Sequence, residues 1–429
     1  MPQPAVAQEL PGRTRVLWLS TVAFTLLFNV WLMLGVLGVP IRKSLALSDS
    51  QLEWLIATAI LSGSVLRLNF GLLADRYGGR NVYIGLLFFC AIPTYLFSRA
   101  TTYGEMLVCA LLFGVAGNAF SAGIAWCSSW YPDRMKGTAL GIFGAGNVGA
   151  AGTKLLVVLV PTLLTAVPAA GLLGGVVPGQ WRVVPAIYSA LLVLMGCAIL
   201  WLAPKADHKP GQGRTLAQLL APLRHVRVWR FCIYYVVVFG AYVALSGWLP
   251  KFYVDAYALE LRDAALLTAL FIFPASLLRP LGGYLSDRFG PRVVTYTVFV
   301  VMLAALGVLS VPAGTYFGVE FRLSVEVFTC LLMVVGCGMG IGKASVFKYI
   351  PNYFPGDVGA VGGLVGAIGA LGGFFLPPLF GFLGRTTGVP QTAFLAMVAL
   401  TGVCITWLHV TIVSIRATDK KALLASAAT

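Results

Sequence analysis

Apolar stretches of 18 or more residues recur from one end of this 429-residue chain to the other, each long enough to cross the hydrocarbon core of a bilayer. No other feature restricts the fold so strongly, because lipid offers the backbone no hydrogen-bond partners and a spanning segment must satisfy its own. Only 10% of the residues are charged, against about 25% in a soluble domain. The chain therefore reads as an all-α membrane protein with twelve transmembrane helices. The expected spans are roughly 16–39, 52–74, 81–98, 105–130, 137–167, 183–203, 229–250, 264–286, 293–312, 325–348, 358–382 and 391–415. Met1 to Gly12 lacks the basic-then-apolar layout of a signal peptide, so the first run is expected to remain a helix.

The polar, basic stretch Lys205 to Arg230 divides the spans six and six. It predicts an N-terminal half over residues 1–204, a cytoplasmic linker over 205–228 and a C-terminal half over 229–429. Arg214 to Arg227 is expected to form a short amphipathic helix on the membrane surface. With both termini in the cytoplasm, 18 of the 30 lysines and arginines fall in inner segments and eight in outer ones, as the positive-inside rule requires. That placement accounts for the net charge of +15. Basic residues interleaved with aromatics are missing, so nucleic acid is not an expected partner. The eight cysteines are scattered through apolar runs without a CxxC, and the three histidines are far apart. Neither metal nor cofactor is expected.

Four cations lie within the spans: Arg67, Arg279, Lys154 and Lys343. No carboxylate falls near the middle of any span. Arg67 belongs to Ser64-Val-Leu-Arg67-Leu-Asn-Phe-Gly71-Leu-Leu-Ala-Asp75-Arg76-Tyr-Gly78-Gly79-Arg80. Arg279 belongs to Ser276-Leu-Leu-Arg279-Pro-Leu-Gly-Gly283-Tyr-Leu-Ser-Asp287-Arg288-Phe-Gly290-Pro-Arg292, 212 residues later. A second repeat, at an offset of 222, matches Gly137, Gly141 and Gly144 of span five to Gly359, Gly363 and Gly366 of span eleven. Parallel six-helix repeats mark secondary transporters, whose sites lie at the repeat interface near the midplane.

An arginine at the bilayer centre costs about 2.5–3.5 kcal/mol on insertion scales. Two that face each other about 8 Å apart add repulsion on the order of 2 kcal/mol at an effective dielectric of 20. An anion between them removes that repulsion, and the guanidinium fork suits a planar or tetrahedral oxyanion. The alternative, in which each arginine caps backbone carbonyls or snorkels, explains one such residue better than a matched pair. Asn147 can donate to an oxyanion or tie two helices. The glycines permit close helix packing. Asp75 with Arg76, and Asp287 with Arg288, can bridge neighbouring helices at the inner face as a gate. Lys154 and Lys343 can exchange a proton or add to the positive potential.

The loop Gly71 to Arg80 and its copy Gly283 to Arg292 resemble the motif between spans two and three of the major facilitator superfamily. Gly141 to Gly152 and Gly363 to Gly373 resemble the two signatures of that superfamily's nitrate/nitrite porter family, and the resemblance covers essentially the whole chain. It implies a monomeric secondary transporter of the cell (inner) membrane that moves nitrate by alternating access. Arg67 and Arg279 would hold the anion, Asn147 and Tyr235 would hydrogen-bond near it, and Phe120 and Phe239 would stack on it. Gly366 would let a helix backbone approach it. Phe28 and Trp31 are both candidates for a further aromatic from span one. Gly71, Asp75, Arg76, Gly283, Asp287 and Arg288 would serve the gate. Segments Trp31 to Pro40 and Gly342 to Pro351 resemble the proton-coupled branch, which implies nitrate/proton symport with Lys154 or Lys343 carrying the proton. Nitrate/nitrite antiport is one alternative. Exchange of an organic phosphate for phosphate, which paired arginines also suit, is another. An anion-sensing receptor would need a signalling domain, and an enzyme would need a nucleophile–base pair or metal cluster within the spans; neither is expected.

Overall fold

The computed structural model describes residues 11–159, 167–168, 170–172, 174–209, 215–316, 319–354 and 358–427. Among these, eleven helices are long and apolar enough to cross a membrane. In chain order they are spans one (Arg13–Gly38), two (Asp49–Tyr77), three (Gly79–Arg99), four (Tyr103–Trp130), six (Gln180–Leu202) and seven (Val226–Tyr257). Then follow eight (Leu261–Phe289), nine (Pro291–Leu309), ten (Val325–Ile350), eleven (Ala360–Thr387) and twelve (Thr392–Ser414). Span five is assembled from Asp133–Ala145, a 3-10 turn Gly146–Val148 and Gly149–Leu159. The rest of its expected length, 160–166, lies outside the described residues. Span three turns Phe89, Ile92 and Leu96 outward, the inverse of a soluble surface and what lipid requires.

Local chemistry sets the span ends. Ser48 with Gln51 and Thr102 with Glu105 form capping boxes at the starts of spans two and four, which satisfy donors that the first helical turn leaves free. Spans two and eight stop at Gly78 (φ 91°) and Gly290 (φ 83°), a conformation that other residues resist. The linker does not form the single surface helix expected over Arg214 to Arg227. Arg214 is outside the described residues, and the remainder breaks into Leu216–Leu220 and a 3-10 turn Ala221–Arg224. Pro222 lacks an N–H, and His225 is extended, so a continuous helix cannot propagate. Ahead of this, Asp207 ties the chain to the first six spans. Its carboxylate accepts from the indoles of Trp126 (3.2 Å) and Trp130 (3.0 Å) and from the Arg80 backbone N–H (2.9 Å).

The two sets of helices meet along spans two and eleven and along spans five and eight. Several spans are interrupted next to buried arginine, asparagine or aromatic residues. Span two breaks at Leu66 and span eight at Leu278, each directly before its buried arginine and with nearly identical angles (φ −83°, ψ 1° and φ −82°, ψ 2°). Span four passes through a 3-10 turn at Val115–Asn118, just before Phe120. Span five does so around Asn147. Span seven carries a π turn at Val236–Gly240, between Tyr235 and Tyr242. Spans two and eight were each expected as one helix; the breaks re-aim the residues that follow them.

Candidate functional site

Arg67 and Arg279 are fully buried, at 0% and 2% exposure. Their guanidinium carbons lie 5.5 and 5.2 Å from the centroid of one ring, that of Phe120. Arg67 is held by backbone from both repeats: its Nε donates to the Gly63 carbonyl at 3.0 Å and its Nη1 to the Gly366 carbonyl at 3.3 Å. Trp31 and Phe239 pack on its guanidinium at 5.1 and 4.9 Å. Arg279 instead lies against Gly144, where an added Cβ would come within 2.5 Å of its Nε.

The repeated glycines therefore divide their work. Gly141 and Gly144 admit Pro280 and Arg279 of span eight, while Gly363 and Gly366 face Leu68 and Arg67 of span two. Further along, Gly149 and Gly152 admit Thr25 and Asn29 of span one, and Gly369 and Gly372 admit Tyr235 and Val236 of span seven. Gly366, expected to let a helix backbone approach the anion, offers its carbonyl to Arg67.

Aromatic rings enclose the arginines. Phe120 stacks with Phe239 at 6.1 Å and with Tyr235 at 6.5 Å, and Tyr235 stacks on Phe239 at 5.0 Å. A flat anion between two rings needs about 7 Å of separation at ordinary van der Waals distances, so these rings need to part by about 1 Å to hold one. Both span-one aromatics belong to the cluster: Trp31 covers Arg67, and Phe28 packs on Trp31 at 5.2 Å and on Phe239 at 6.3 Å. Gly63 and Gly117 make room for the Trp31 indole, whose Nε1 donates to the Ala59 carbonyl.

Several buried polar atoms here have no hydrogen-bond partner among the described residues: Arg67 Nη2, Arg279 Nε and Nη1, the side-chain nitrogen and oxygen of Asn147, the Tyr235 hydroxyl and Ser121 Oγ. Leaving such groups unmet costs about 1–3 kcal/mol each, more when charged. Among the described residues no carboxylate pairs with Arg67, Arg279, Lys154 or Lys343; the ion pairs found lie elsewhere. The cluster is thus a ring of donors around positive charge, and its chemistry calls for a small anion.

Two further residues, not singled out from the sequence, complete it. Ser121 follows Phe120, and its Oγ points toward Gly366. Tyr242 donates its hydroxyl proton to the Asn147 carbonyl at 2.9 Å, so the Ser276 hydroxyl, 3.0 Å away, donates to the phenol oxygen. Lys343 Nζ sits 3.1 Å from the Tyr242 ring centroid and 5.7 Å from that of Phe239, and donates to the Ala275 carbonyl at 3.0 Å. It therefore borders the site. No contact of Lys154 with either arginine is found among the described residues: it lies seven residues beyond Asn147, and its Nζ donates back to the Ala150 carbonyl at 3.0 Å.

The site is closed toward both faces. On the linker side, Cβ atoms built on Gly141 and Gly363 would lie 3.0 and 3.3 Å from the Cα atoms of Pro280 and Leu68. On the opposite side, span one meets span seven, where a Cβ on Gly35 would lie 3.3 Å from Gly247 Cα. Beyond that contact opens a vestibule of about 1070 Å³, lined by Gly35, Gly247, Arg42, Glu53, Lys251 and Arg385 among others. The expected gate residues sit at the linker face. Asp287 pairs with Lys348 of span ten, Arg76 and Arg288 lie over Tyr77 and Phe289, and Gly71 and Gly283 are buried. Asp75 occupies the place in span two that Asp287 holds in span eight.

The sequence profile of the Major Facilitator Superfamily matches residues 19–341 and 257–427. A Thermus thermophilus protein named probable nitrate/nitrite antiporter NarK1 is 58% identical, covering 95% of this chain and 94% of its own length. The nitrite extrusion protein of Bacillus subtilis is 29% identical (89% and 91% covered), and the probable nitrate transporter NarT of Staphylococcus epidermidis 28% (92% and 95%). Among solved structures, the E. coli fucose:proton symporter FucP superposes with a TM-score of 0.68 over 93% of this chain and 98% of its own, at 17% identity. A bacterial homologue of the lysosomal transporter Spinster gives 0.65 over 93% and 96%, also at 17%; at this identity the likeness speaks for the fold alone. The chain is thus a multi-pass membrane transporter, not an enzyme, and belongs to the Major Facilitator Superfamily and, within it, to the nitrate/nitrite porter (NarK-type) family.

Proposed function

We propose that this protein carries nitrate across the cell membrane by alternating access, with Arg67 and Arg279 as its ligands. The observation that carries the reading is the ring of unmet buried donors around two arginines, beside which no carboxylate is found among the described residues. Asn147, Tyr235 and Ser121 supply neutral donors, and Phe120 and Phe239 the flat walls. Nitrate relieves the repulsion between the arginines, so the halves, residues 1–204 and 229–429, rock around a loaded site more readily than around bare charge. The excess of lysine and arginine in the segments on the linker side supports cytoplasmic termini and an outward-facing vestibule. The protein works as a monomer.

For the coupling, the reading is nitrate/proton symport with Lys343 as the proton carrier. An amine gives up its proton and a guanidinium does not, and Lys343 is the amine that borders the site. Its neighbours are Arg279, Tyr242 and the Ala275 carbonyl, so one proton gained there with one nitrate leaves the local charge unchanged. Nitrate/nitrite exchange is the second reading, favoured by the name of the 58% identical relative. Organic phosphate fits less well, because rings 6.1–6.5 Å apart need to part by only about 1 Å for a flat anion and much further for an ester.

The test is nitrate uptake into proteoliposomes under an imposed pH gradient at zero membrane potential, with and without internal nitrite. Symport predicts uptake that follows the proton gradient without nitrite and is lost in Lys343→Met. Uptake that needs internal nitrite establishes exchange. Inhibition of uptake by phosphate at nitrate-like concentrations would overturn the choice of substrate.

A further inference from the structure

Lys154 is 1% exposed, and no ion pair to it is found among the described residues. One of its three ammonium protons goes to the Ala150 carbonyl of its own helix, at 3.0 Å. Its Nζ reaches the place where spans one and seven touch: a Cβ built on Gly35 would lie 3.8 Å from Nζ, 3.5 Å from the Ser246 carbonyl and 3.3 Å from Gly247 Cα. Gly35 and Gly247 also line the floor of the vestibule. One glycine contact therefore separates a buried, unpaired cation from a cavity open to solvent. On the other side, Nζ is turned back to the carbonyl of Ala150, three residues or about 4.5 Å along the helix from Asn147 and the level of the two arginines.

We infer that Lys154 is a waypoint for the transported anion, reached when the Gly35–Gly247 contact parts and set between the vestibule and the arginine pair. The inference rests on the anion-transport reading above and adds a second binding position to it. A lone ammonium suits this role better than a third arginine. It is a compact point charge without the fork that fixes an oxyanion in one pose, so it attracts the anion and releases it onward. The two glycines matter because the contact has no side chain to hold it shut, and separating the two backbones exposes Nζ directly. Lys154 has no counterpart in the repeat, since the matching position in span eleven is Leu376. The waypoint therefore serves the vestibule side only, and its loss must show a sidedness that loss of either arginine does not.

The experiment compares wild type, Lys154→Gln and Lys154→Arg. Initial nitrate uptake is measured in right-side-out and inside-out membrane vesicles, and equilibrium nitrate binding on the purified proteins. Lys154→Gln is expected to raise the KM for nitrate arriving from the vestibule side about tenfold, in line with one lost charge-assisted contact. KM from the linker face and equilibrium affinity should change less than about twofold, and Lys154→Arg should restore most of the vestibule-side KM. Equal KM changes from both faces, or a matching loss of equilibrium affinity, would overturn the waypoint. So would a Lys154→Gln protein that exchanges nitrate normally but no longer follows a pH gradient, since the lysine would then carry the proton. Should Lys154→Gln misfold, Lys154→Met takes its place with the same outcomes: a KM rise confined to the vestibule side supports the waypoint, and equal rises from both faces overturn it. Failure of the wild type to bind or move nitrate strikes the transport reading itself, and that result is independent of any variant.

Discussion

Arg67 and Arg279 stand 212 residues apart at matched positions, after matched helix breaks, yet their seats differ. Arg67 spends two of its nitrogens on the carbonyls of Gly63 and Gly366 and is covered by Trp31, Phe120 and Phe239. Arg279 keeps Nε and Nη1 unbonded, lies on Phe120, and is pressed against Gly144. The repeat thus supplies two equal charges with unequal freedom. Arg67 is a fixed post that already joins spans two and eleven, whereas Arg279 has the larger share of donors still to commit. On the proposed reading, Arg279 would carry most of the hydrogen bonding to the anion, and Arg67 would mainly orient and polarise the cavity.

The largest effects should separate the two arginines. A charge-assisted hydrogen bond contributes about 1.5–3 kcal/mol, and about 1.4 kcal/mol is a factor of ten. Arg279→Lys, which removes two free donors of the fork, should lower kcat/KM for nitrate roughly 1000-fold, and Arg67→Lys roughly 30-fold. Initial rates in proteoliposomes decide this; equal losses would break the comparison. Next come the glycines. Gly144→Ala places a methyl within 2.5 Å of Arg279 Nε, whereas a methyl at Gly366 meets Ser121 Oγ at 3.6 Å and Arg67 Cδ at 3.7 Å. Overpacking costs about 1–3 kcal/mol, so Gly144→Ala should reduce transport about tenfold or more, while Gly366→Ala stays within about threefold. The same rates measured for both variants sharpen the contrast or reverse it.

Smaller effects test the neutral groups and the gate. Tyr235→Phe removes a hydroxyl that faces Arg279 and has no hydrogen-bond partner among the described residues. One neutral hydrogen bond contributes about 1 kcal/mol, so nitrate affinity should fall about fivefold, with kcat changed less. Asp287→Asn breaks the pair with Lys348, both partly exposed. Such pairs contribute about 0–1 kcal/mol, so uptake should change by less than about threefold. A loss as large as that of Gly144→Ala would place the gate, not the arginine seats, at the centre of the mechanism.

Much of this was legible in the sequence because membrane burial makes charge conspicuous. Arg67, Arg279, Lys154 and Lys343 stand out in apolar runs, and the repeats pair the arginines and the glycines without any structure. The aromatic walls were harder. Phe120 and Phe239 are two of 26 phenylalanines, and only the resemblance picked them out. Trp31 could not be told from Phe28, because its place over Arg67 depends on Gly63 and Gly117, which lie on two other spans. Ser121 and Tyr242 gave no signal, since a hydroxyl in a span commonly bonds its own helix. Nor did the sequence separate the lysines: Lys343 meets Tyr242 and Phe239 of span seven, whereas Lys154 meets its own helix and Gly35 of span one. The break at Leu66 was also hidden. Its partner at Leu278 has Pro274 and Pro280 close by, whereas no proline marks the first copy.

The π turn at Val236–Gly240 gives span seven one residue in reserve. Each residue of a regular helix advances its face by about 100°, and a π turn absorbs one residue more than the surrounding α-helix has room for. The surplus is taken up inside the turn, so the residues after it keep the faces that a helix one residue shorter would give them. Deleting any one of Val236, Val237 or Val238 would restore a regular helix and leave Tyr242 facing the Asn147 carbonyl and Gly247 facing Gly35. A deletion within Ala241–Leu245, beyond the turn, would instead swing Gly247 away by about 100°. Span seven can therefore lose a residue at its turn far better than beyond it.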